Sequence, residues 1–357
     1  MSILGRYLMR EIFLATALVM AALLLLFAFF DLVEAVKDIG RGTYQLRHAL
    51  RHVLLLVPGH VYQIFPIAVL IGTLFALAQF MASSEYTVMR TSGVSVTRVI
   101  GVLLAAGTVL AGITMIFGEY VGPYTDQLAQ RLRSRAITGI VMQEFRSGLW
   151  LKDDKSFINV REVTDKGELK GVRIYEFDEG LKLLTVSEAQ SGAYDRERRW
   201  VLSDVKRTSL TEVRAEVSHL PSIEWHSVLE PSLLNVLLIK PAQMSAASLY
   251  TFSRHLRDNR QRSLRYEIAM WTKIAYPIAV LMMMVLALPF AYFQRRQGGV
   301  GGRIFAGIML GLAFYLANQL AAHLGLLNDW PPQAAALGPT VLFLGVALTM
   351  IWRQERR

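Results

Sequence analysis

Six long apolar stretches, divided three and three by a polar insert, constrain this 357-residue chain more than anything else in it. Crossing the hydrocarbon core of a bilayer as helix takes about 20 consecutive apolar residues. Runs of that kind occupy Phe13–Phe30, Val61–Met81, Val99–Gly118, Ile274–Phe293, Ile304–Leu327 and Ala334–Trp352, and the first, third, fourth and sixth carry no charged side chain. Hydrophobic residues make up 53% of the chain, more than a soluble core of this size needs. The expected architecture is a membrane α-helical bundle of six transmembrane helices. Arg6 and Arg10 precede the first run as they would in a signal peptide. That run is too long for a signal sequence, however, and acidic Asp31 and Glu34 follow where small cleavage-site residues belong. A retained first span is expected.

Basic residues in short loops mark the cytoplasmic side. With the N-terminus inside, Arg6, Arg10, Arg90, Arg98, Arg295, Arg296, Arg303, Arg353, Arg356 and Arg357 face the cytoplasm. Only Lys37, Arg41, Arg47 and Arg51 fall in the first outer loop, and none in the last. Both termini are therefore expected inside and the insert outside. The net charge of +10 partly reflects this orientation signal and gives no reason to expect nucleic acid. With no cysteine, the outer domain must fold without disulfides, which fits a bacterial periplasm.

Residues 1–123 thus hold three spans, 124–262 the insert, and 263–357 three more spans. After Gly122-Pro123, Tyr124–Ile137 reads as an arginine-rich helix. From Gly148 the pattern becomes alternation in LWLKD, SFINVREV, GVRIYEFD, LKLLTVSEAQSGAYD, WVLSDVKRTSL and TEVRAEVSHL, with Asp- and Gly-containing turns between them. Short consecutive strands without intervening helices predict a β-sandwich or jelly roll. A second helix, Ser245–Gln261 with Ser245 as cap, leads back to the fourth span.

Within the spans, Pro58 and Pro66 at the second and Pro277 and Pro289 in the fourth predict kinks inside a bundle, where neighbours satisfy the freed backbone groups. Gly307 and Gly311 form a small-xxx-small face, suited to intrachain packing or to a subunit contact. Asn318, Gln319 and His323 are costly against lipid and should face protein or a cavity. Lys273, near the outer boundary of the fourth run, can snorkel.

No phosphate-binding P-loop, zinc-protease helix or nucleophile elbow is present. The run Gly298–Arg303 is glycine-rich but lacks the lysine and preceding strand of a phosphate cradle, so it reads as a flexible turn. The chain is not expected to be an enzyme, and any work it does must draw on a partner or an ion gradient. Gradient-driven carriers keep carboxylates within their spans, and these spans have none away from their ends. Between the second and third runs lies SSEYTVMRTSGVSVTR, residues 83–98. Ser83 or Ser84 can cap a short helix there, with Glu85 in its first turn. Gly93 ends it, and Ser95 can cap the third span. Glu85, Met89 and Ser92 fall on one side, Tyr86 and Arg90 on another. Such a helix suits a groove on a soluble protein; it also suits a plain re-entry turn.

The segment SSEYTVMRTSGVS resembles the coupling helix of the LptF/LptG family, the permeases of bacterial lipopolysaccharide export. DLVEAVKDIGRGTY, FGEYVGP, GLWLKDDKSFINV, YEIAMWTKIAYPIAVLMMMVLALPF, GGRIFAGIMLGLAFY, Pro331-Pro332 and Gly338-Pro339 follow in the family's order, nearly end to end. Met270–Lys273 looks more like the LptG branch than the LptF branch. The resemblance implies a six-span subunit with a periplasmic β-jelly roll, set in the bacterial inner membrane. It implies pairing with an LptF-like permease on two copies of an LptB-like ATPase, joined by an LptC-like single-helix protein. Lipopolysaccharide would be drawn from the membrane and passed to a periplasmic bridge. ATP and Mg would belong to the ATPase, leaving this chain without cofactor or metal. Glu85, Tyr86, Met89 and Arg90 would meet the ATPase, and spans 1 and 5 would line a lipid cavity.

The residue chemistry fits such a substrate. Phosphates above acyl chains call for cations at the outer boundary over an apolar cavity. Lys37 and Arg41, then Arg131, Arg133 and Arg135, stand at that boundary, and Phe27, Phe30, Phe65, Phe305 and Tyr315 are candidates for the apolar wall. The same cations could instead serve phospholipid headgroups or solvate a helix end. Asp31 and Asp38 occupy places where relatives carry basic residues. An anion facing phosphate is unfavourable unless paired, which moves weight from Lys37 to the arginines above span 3. The LptF branch, an ion-coupled carrier and a non-transporting scaffold or sensor are the competing readings.

Overall fold

A computed structural model describes residues 3–83, 85–93, 95–137, 149–153, 156–164, 168–180, 182–195, 199–211, 214–225, 241–258, 261–293 and 300–356. The helices are α1 (Ile3–Val36), α2 (Leu46–Ala82), α3 (Glu85–Thr91), α4 (Val96–Ile116), α5 (Gly122–Ile137), α6 (Ala246–Asp258), α7 (Leu264–Phe293), α8 (Val300–Leu327) and α9 (Pro332–Glu355). A π-helical turn, Phe117–Val121, joins α4 to α5 without a break in the helical rod. Six helical stretches are long and apolar enough to cross a membrane: α1, α2, α4 continuing through α5, α7, α8 and α9.

These helices outrun their apolar cores. α2 begins at Leu46 rather than Val61, and α7 at Leu264 rather than Ile274. Polar side chains end an apolar run, yet the backbone gains by continuing its own hydrogen-bond ladder into the interface. The glycine-rich run is likewise helical from Val300 onward, where a turn was expected; its residues 298–299 lie outside the described residues.

α2 is the central post. Its most apolar stretch is 83% buried within the chain, against 17% for α1 and for α8, both of which pack on it. Leu70, Leu74 and Leu77 of α2 share one core with Ile12 of α1, Leu103 of α4, Met283 and Leu286 of α7 and Phe314 of α8. A helix apolar all round is one buried all round. Pro58, Pro66, Pro277 and Pro289 lie in α2 and α7, the two spans most enclosed by neighbours, and Pro339 lies in α9. Small residues set the closest approaches. A Cβ on Gly307 would come 2.8 Å from Leu74 Cδ1, and one on Gly311 3.0 Å from Ile67 Cγ2. The small-xxx-small face of α8 is thus turned onto α2 of the same chain. Gly307→Leu is expected to cost about 1–3 kcal/mol by overpacking, read as a lower melting temperature in detergent. Gly301→Leu, where a Cβ meets nothing within 4 Å, should leave the melt unchanged.

The insert is an all-β domain. Strands β1 (Leu149–Asp153), β2 (Ser156–Val163), β3 (Leu169–Phe177), β4 (Leu183–Tyr194), β5 (Trp200–Leu210) and β6 (Ala215–Trp225) form one antiparallel sheet in sequential order. Its turns join each strand to its neighbour, so the described strands run as a meander. Ile158, Val172, Trp200, Leu202 and Val205 are fully or almost fully buried on one face. Tyr194, Leu220, Ile223 and Trp225 pack against this core from β4 and β6 of the same sheet. The pairing skips one row, Arg161–Gly171–Gln190–Asp204–Pro221, in four successive ladders while keeping register on both sides. Gly171 and Asp204 have positive φ on that row (63° and 52°), so the break in the ladder runs across the sheet and gives it a line to fold along.

Candidate functional site

At one end of the bundle the α1–α2 turn is pinned to the end of α5. The backbone N–H of Thr43 donates to the Ala136 carbonyl at 2.7 Å, and its hydroxyl donates to the same oxygen at 3.1 Å. Asp38 lies between two guanidinium groups. Its Oδ1 accepts from Arg41 Nη1 at 2.8 Å, and its Oδ2 from Arg133 Nε at 2.9 Å and Nη2 at 2.5 Å. The Asp38 side chain is only 5% exposed. Asp31 meets His60 Nε2 at 2.6 Å, and Lys37 meets Glu34 at 2.6 Å with both ends exposed. Both aspartates that looked out of place beside a phosphate therefore have cationic or hydrogen-bonding partners.

The arginines of α5 divide by helical face. Asp126, Ala129 and Ala136 are buried at three-to-four-residue spacing and Arg133 belongs to that row, whereas Arg131 and Arg135 are exposed on another side. Asp38→Asn leaves Arg133 and Arg41 sharing a neutral partner. We expect a loss of about 1–3 kcal/mol, measured as a lower melting temperature, with partial recovery when Arg133→Gln is added.

Deeper in the bundle, the π-turn gathers three segments. Gly118 lies so close to the Tyr62 ring that no side chain fits there, and its carbonyl accepts from Lys273 Nζ at 2.9 Å. Tyr62 in turn stacks on Tyr276 with centroids 4.8 Å apart, and the Lys273 ammonium lies 4.9 Å from the Tyr62 ring centre. Glu119 accepts from the backbone N–H groups of Ala246 (2.7 Å) and Ala247 (3.0 Å), capping α6. Lys273, expected to snorkel outward, instead points into the bundle. Because α7 continues to Leu264, Lys273 is well inside the helix, and the turn in the third span offers it a carbonyl.

The apolar wall residues separate. Phe30 of α1, and Phe305 and Tyr315 of α8, are exposed at 60%, 64% and 44%. Phe27 is half-buried with its ring 5.1 Å from that of His60. Phe65, expected on the wall, is instead buried in the bundle core, because it lies on the face of α2 that its neighbours cover, whereas Gln63 is exposed. Gln319 and His323 follow Tyr315 at four-residue steps and are exposed with it; Gln319 donates to the Tyr315 hydroxyl at 3.0 Å.

At the opposite end, α3 lies between α2 and α4. Ser83 caps the C-terminus of α2, its hydroxyl donating to the Gln79 carbonyl at 3.1 Å, so it is not the cap of α3; Ser84 lies outside the described residues. Gly93 follows α3 at φ 87°, and Ser95 accepts from the Arg98 N–H at 3.3 Å as cap of α4. Glu85 accepts from the Tyr7 hydroxyl of α1 at 3.3 Å, and Tyr7 sits edge-on to Phe80 at 5.5 Å. A cavity of about 370 Å³ opens there, lined by Tyr7, Glu11, Phe75, Gln79 and Glu85. Met89 is half-buried. Tyr86 and Arg90 also lie on α3, and their side chains fall outside the description.

Comparison with known proteins places this arrangement. The family model of the lipopolysaccharide export system permease LptF/LptG matches residues 6–353. The chain belongs to this family. It is 32% identical over 355 residues to the lipopolysaccharide export system permease protein LptG of Escherichia coli K12, covering 99% of both chains. It is 31% identical over 350 residues to the LptG protein of Haemophilus influenzae, covering 98% of this chain and 97% of that one.

Within the LptF/LptG family frame, the sequence pattern pointed to the rim, to α3 and to the exposed faces of α1 and α8. It missed Tyr7, His60 and Glu119. Glu119 was the detectable one, a lone acid at the end of an apolar run, where burial without a partner is costly. Tyr7 and His60 carry no local signal, because their partners are remote in sequence.

Proposed function

We propose that this chain is the LptG-type permease subunit of an ATP-driven transporter. It extracts lipopolysaccharide from the inner membrane and delivers it to a periplasmic bridge for outer-membrane assembly. The observation that carries this reading is the family match across residues 6–353, which takes in both halves of the bundle and the insert. Three features support it. α1 and α8 leave large apolar faces open beside α2, suited to acyl chains and to an LptF-like partner. Basic side chains, Arg131 and Arg135 among them, are exposed at the outer boundary. The short helix α3 at the inner end is tied to α1 through Tyr7 and Glu85.

On this reading Glu85, Tyr86, Met89 and Arg90 seat one of two LptB-like ATPase copies. ATP and Mg are held by that ATPase, and this chain catalyses no reaction. Both termini are cytoplasmic, residues 124–262 are periplasmic, and an LptC-like single-helix protein joins the assembly. Closure of the ATPase moves α3, and α1 moves with it, narrowing the space in which Phe27, Phe30, Phe305 and Tyr315 hold acyl chains. Gentle solubilisation of the tagged chain tests this. Recovery of an ATPase and a second six-span subunit is the expected result. A stable homodimer without an ATPase would contradict it.

A further inference from the structure

We propose that Lys273 is a two-position clasp for the π-turn: its ammonium holds the Gly118 carbonyl in this structure and the Asp126 carboxylate in a second arrangement. This rests on the reading of the chain as a lipid-export permease, and it gives that permease an internal joint in its third span. Asp126, in the second turn of α5, is 7% exposed and makes no hydrogen bond or ion pair among the described residues. A buried carboxylate in that condition is costly. α2 nonetheless makes room for it, since a Cβ on Gly59 would lie 2.5 Å from its Oδ1. The cation that could neutralise it is a neighbour: Lys273, Asp126, Gly118 and Tyr62 line one cavity of about 10 Å³. Yet the ammonium bonds a neutral oxygen, the Gly118 carbonyl at 2.9 Å. A bond from ammonium to carboxylate is the stronger of the two. One donor with two acceptors at close range, only one of them engaged, is the form of a two-state element.

The surroundings of the π-turn give such a clasp something to move. π-turns interrupt the regular ladder of a helix and recur at functional sites. On one side of this turn α4 packs on α7, and on the other α5 packs on α2, so the two halves of the rod answer to different neighbours. Glu119, in the same turn, accepts from the N–H groups of Ala246 and Ala247 at the start of α6. α6 already has a cap in its own first turn, where Ser245 Oγ accepts from the Ser248 N–H at 3.1 Å. Glu119 is therefore not needed to begin that helix; it fixes the end of α6 to the turn. α5 and α6 are the helices that flank the β-strands in the chain. A shift at the π-turn thus reaches the chain on both sides of the insert.

The test uses the complete complex in proteoliposomes, with ATP hydrolysis, ATP-dependent release of lipopolysaccharide and thermal melting measured for each variant. Asp126→Asn keeps the shape of the side chain and removes its charge. Release is expected to fall about tenfold while ATP hydrolysis continues. The melting temperature should stay equal or rise, because an unpaired buried charge has been removed. Lys273→Met should lower release at least as far, and adding Asp126→Asn to it should bring no further loss, since both changes disable one pair. Wild-type release by Asp126→Asn overturns the proposal. A loss of release accompanied by a lower melting temperature in that variant also overturns it, because it marks a carboxylate that only supports the fold. Losses that multiply in the double variant do the same. A wild-type complex that releases no lipopolysaccharide on ATP contradicts the permease reading instead.

Discussion

Gly72→Val is expected to unseat the first span and reduce export at least about tenfold, the largest single effect foreseen for a packing change. A Cβ at this position would lie 2.5 Å from Thr16 Cα and 2.7 Å from Thr16 N. These are backbone atoms of α1, so no rotamer change relieves the clash and the two helix axes must separate. The clash falls on the face of α1 that docks on the bundle, since Leu8, Ile12 and Ala15 are buried beside it. The cost is about 3 kcal/mol or more, at the upper end of overpacking. Thermal melting in detergent and export by the reconstituted complex read it. Gly112→Val on α4, where a Cβ meets nothing within 4 Å, is the matched control and should melt with wild type. If both variants melt alike, α1 does not dock on α2 through this glycine.

Glu85→Lys is the second large effect. Glu85 sits in the first turn of α3, where the helix dipole favours an anion and disfavours a cation. It is also the acceptor for Tyr7 on α1. Charge reversal removes the link between α3 and the span proposed to move with it. We expect ATP-dependent lipid release to fall at least about tenfold, on the scale of a lost charged contact. Tyr7→Phe removes only the hydroxyl and should give the smaller effect, at most a few-fold loss of release with the ATPase still bound. Wild-type export in Glu85→Lys would take α3 out of the mechanism.

Several features of this molecule are legible in the amino-acid sequence because they depend on local pattern. The six spans follow from apolar runs, the strands from alternation, and the Ser95 and Ser245 caps from side chains that bond within their own turn. The rest depends on which face meets which neighbour. Phe65 looked like a wall residue because α2 is apolar all round, and such a helix has no periodicity to mark its open side. Arg133 looked equivalent to Arg131 and Arg135 because its partner, Asp38, lies 95 residues away. Lys273 looked like an interfacial residue because a π-turn, which frees a carbonyl for it, leaves no mark in the composition of FGEYVGP. Asp38 is the instructive case: it broke the expected cationic pattern, and it anchors the rim in the fold.

The central claim is that this chain forms an apolar passage driven by a partner's nucleotide hydrolysis. It is tested most directly in proteoliposomes that hold lipopolysaccharide, with the chain alone or with its ATPase and second permease subunit. Lipopolysaccharide should leave the membrane only when the full assembly hydrolyses ATP. Release by this chain alone, without nucleotide, would contradict the account.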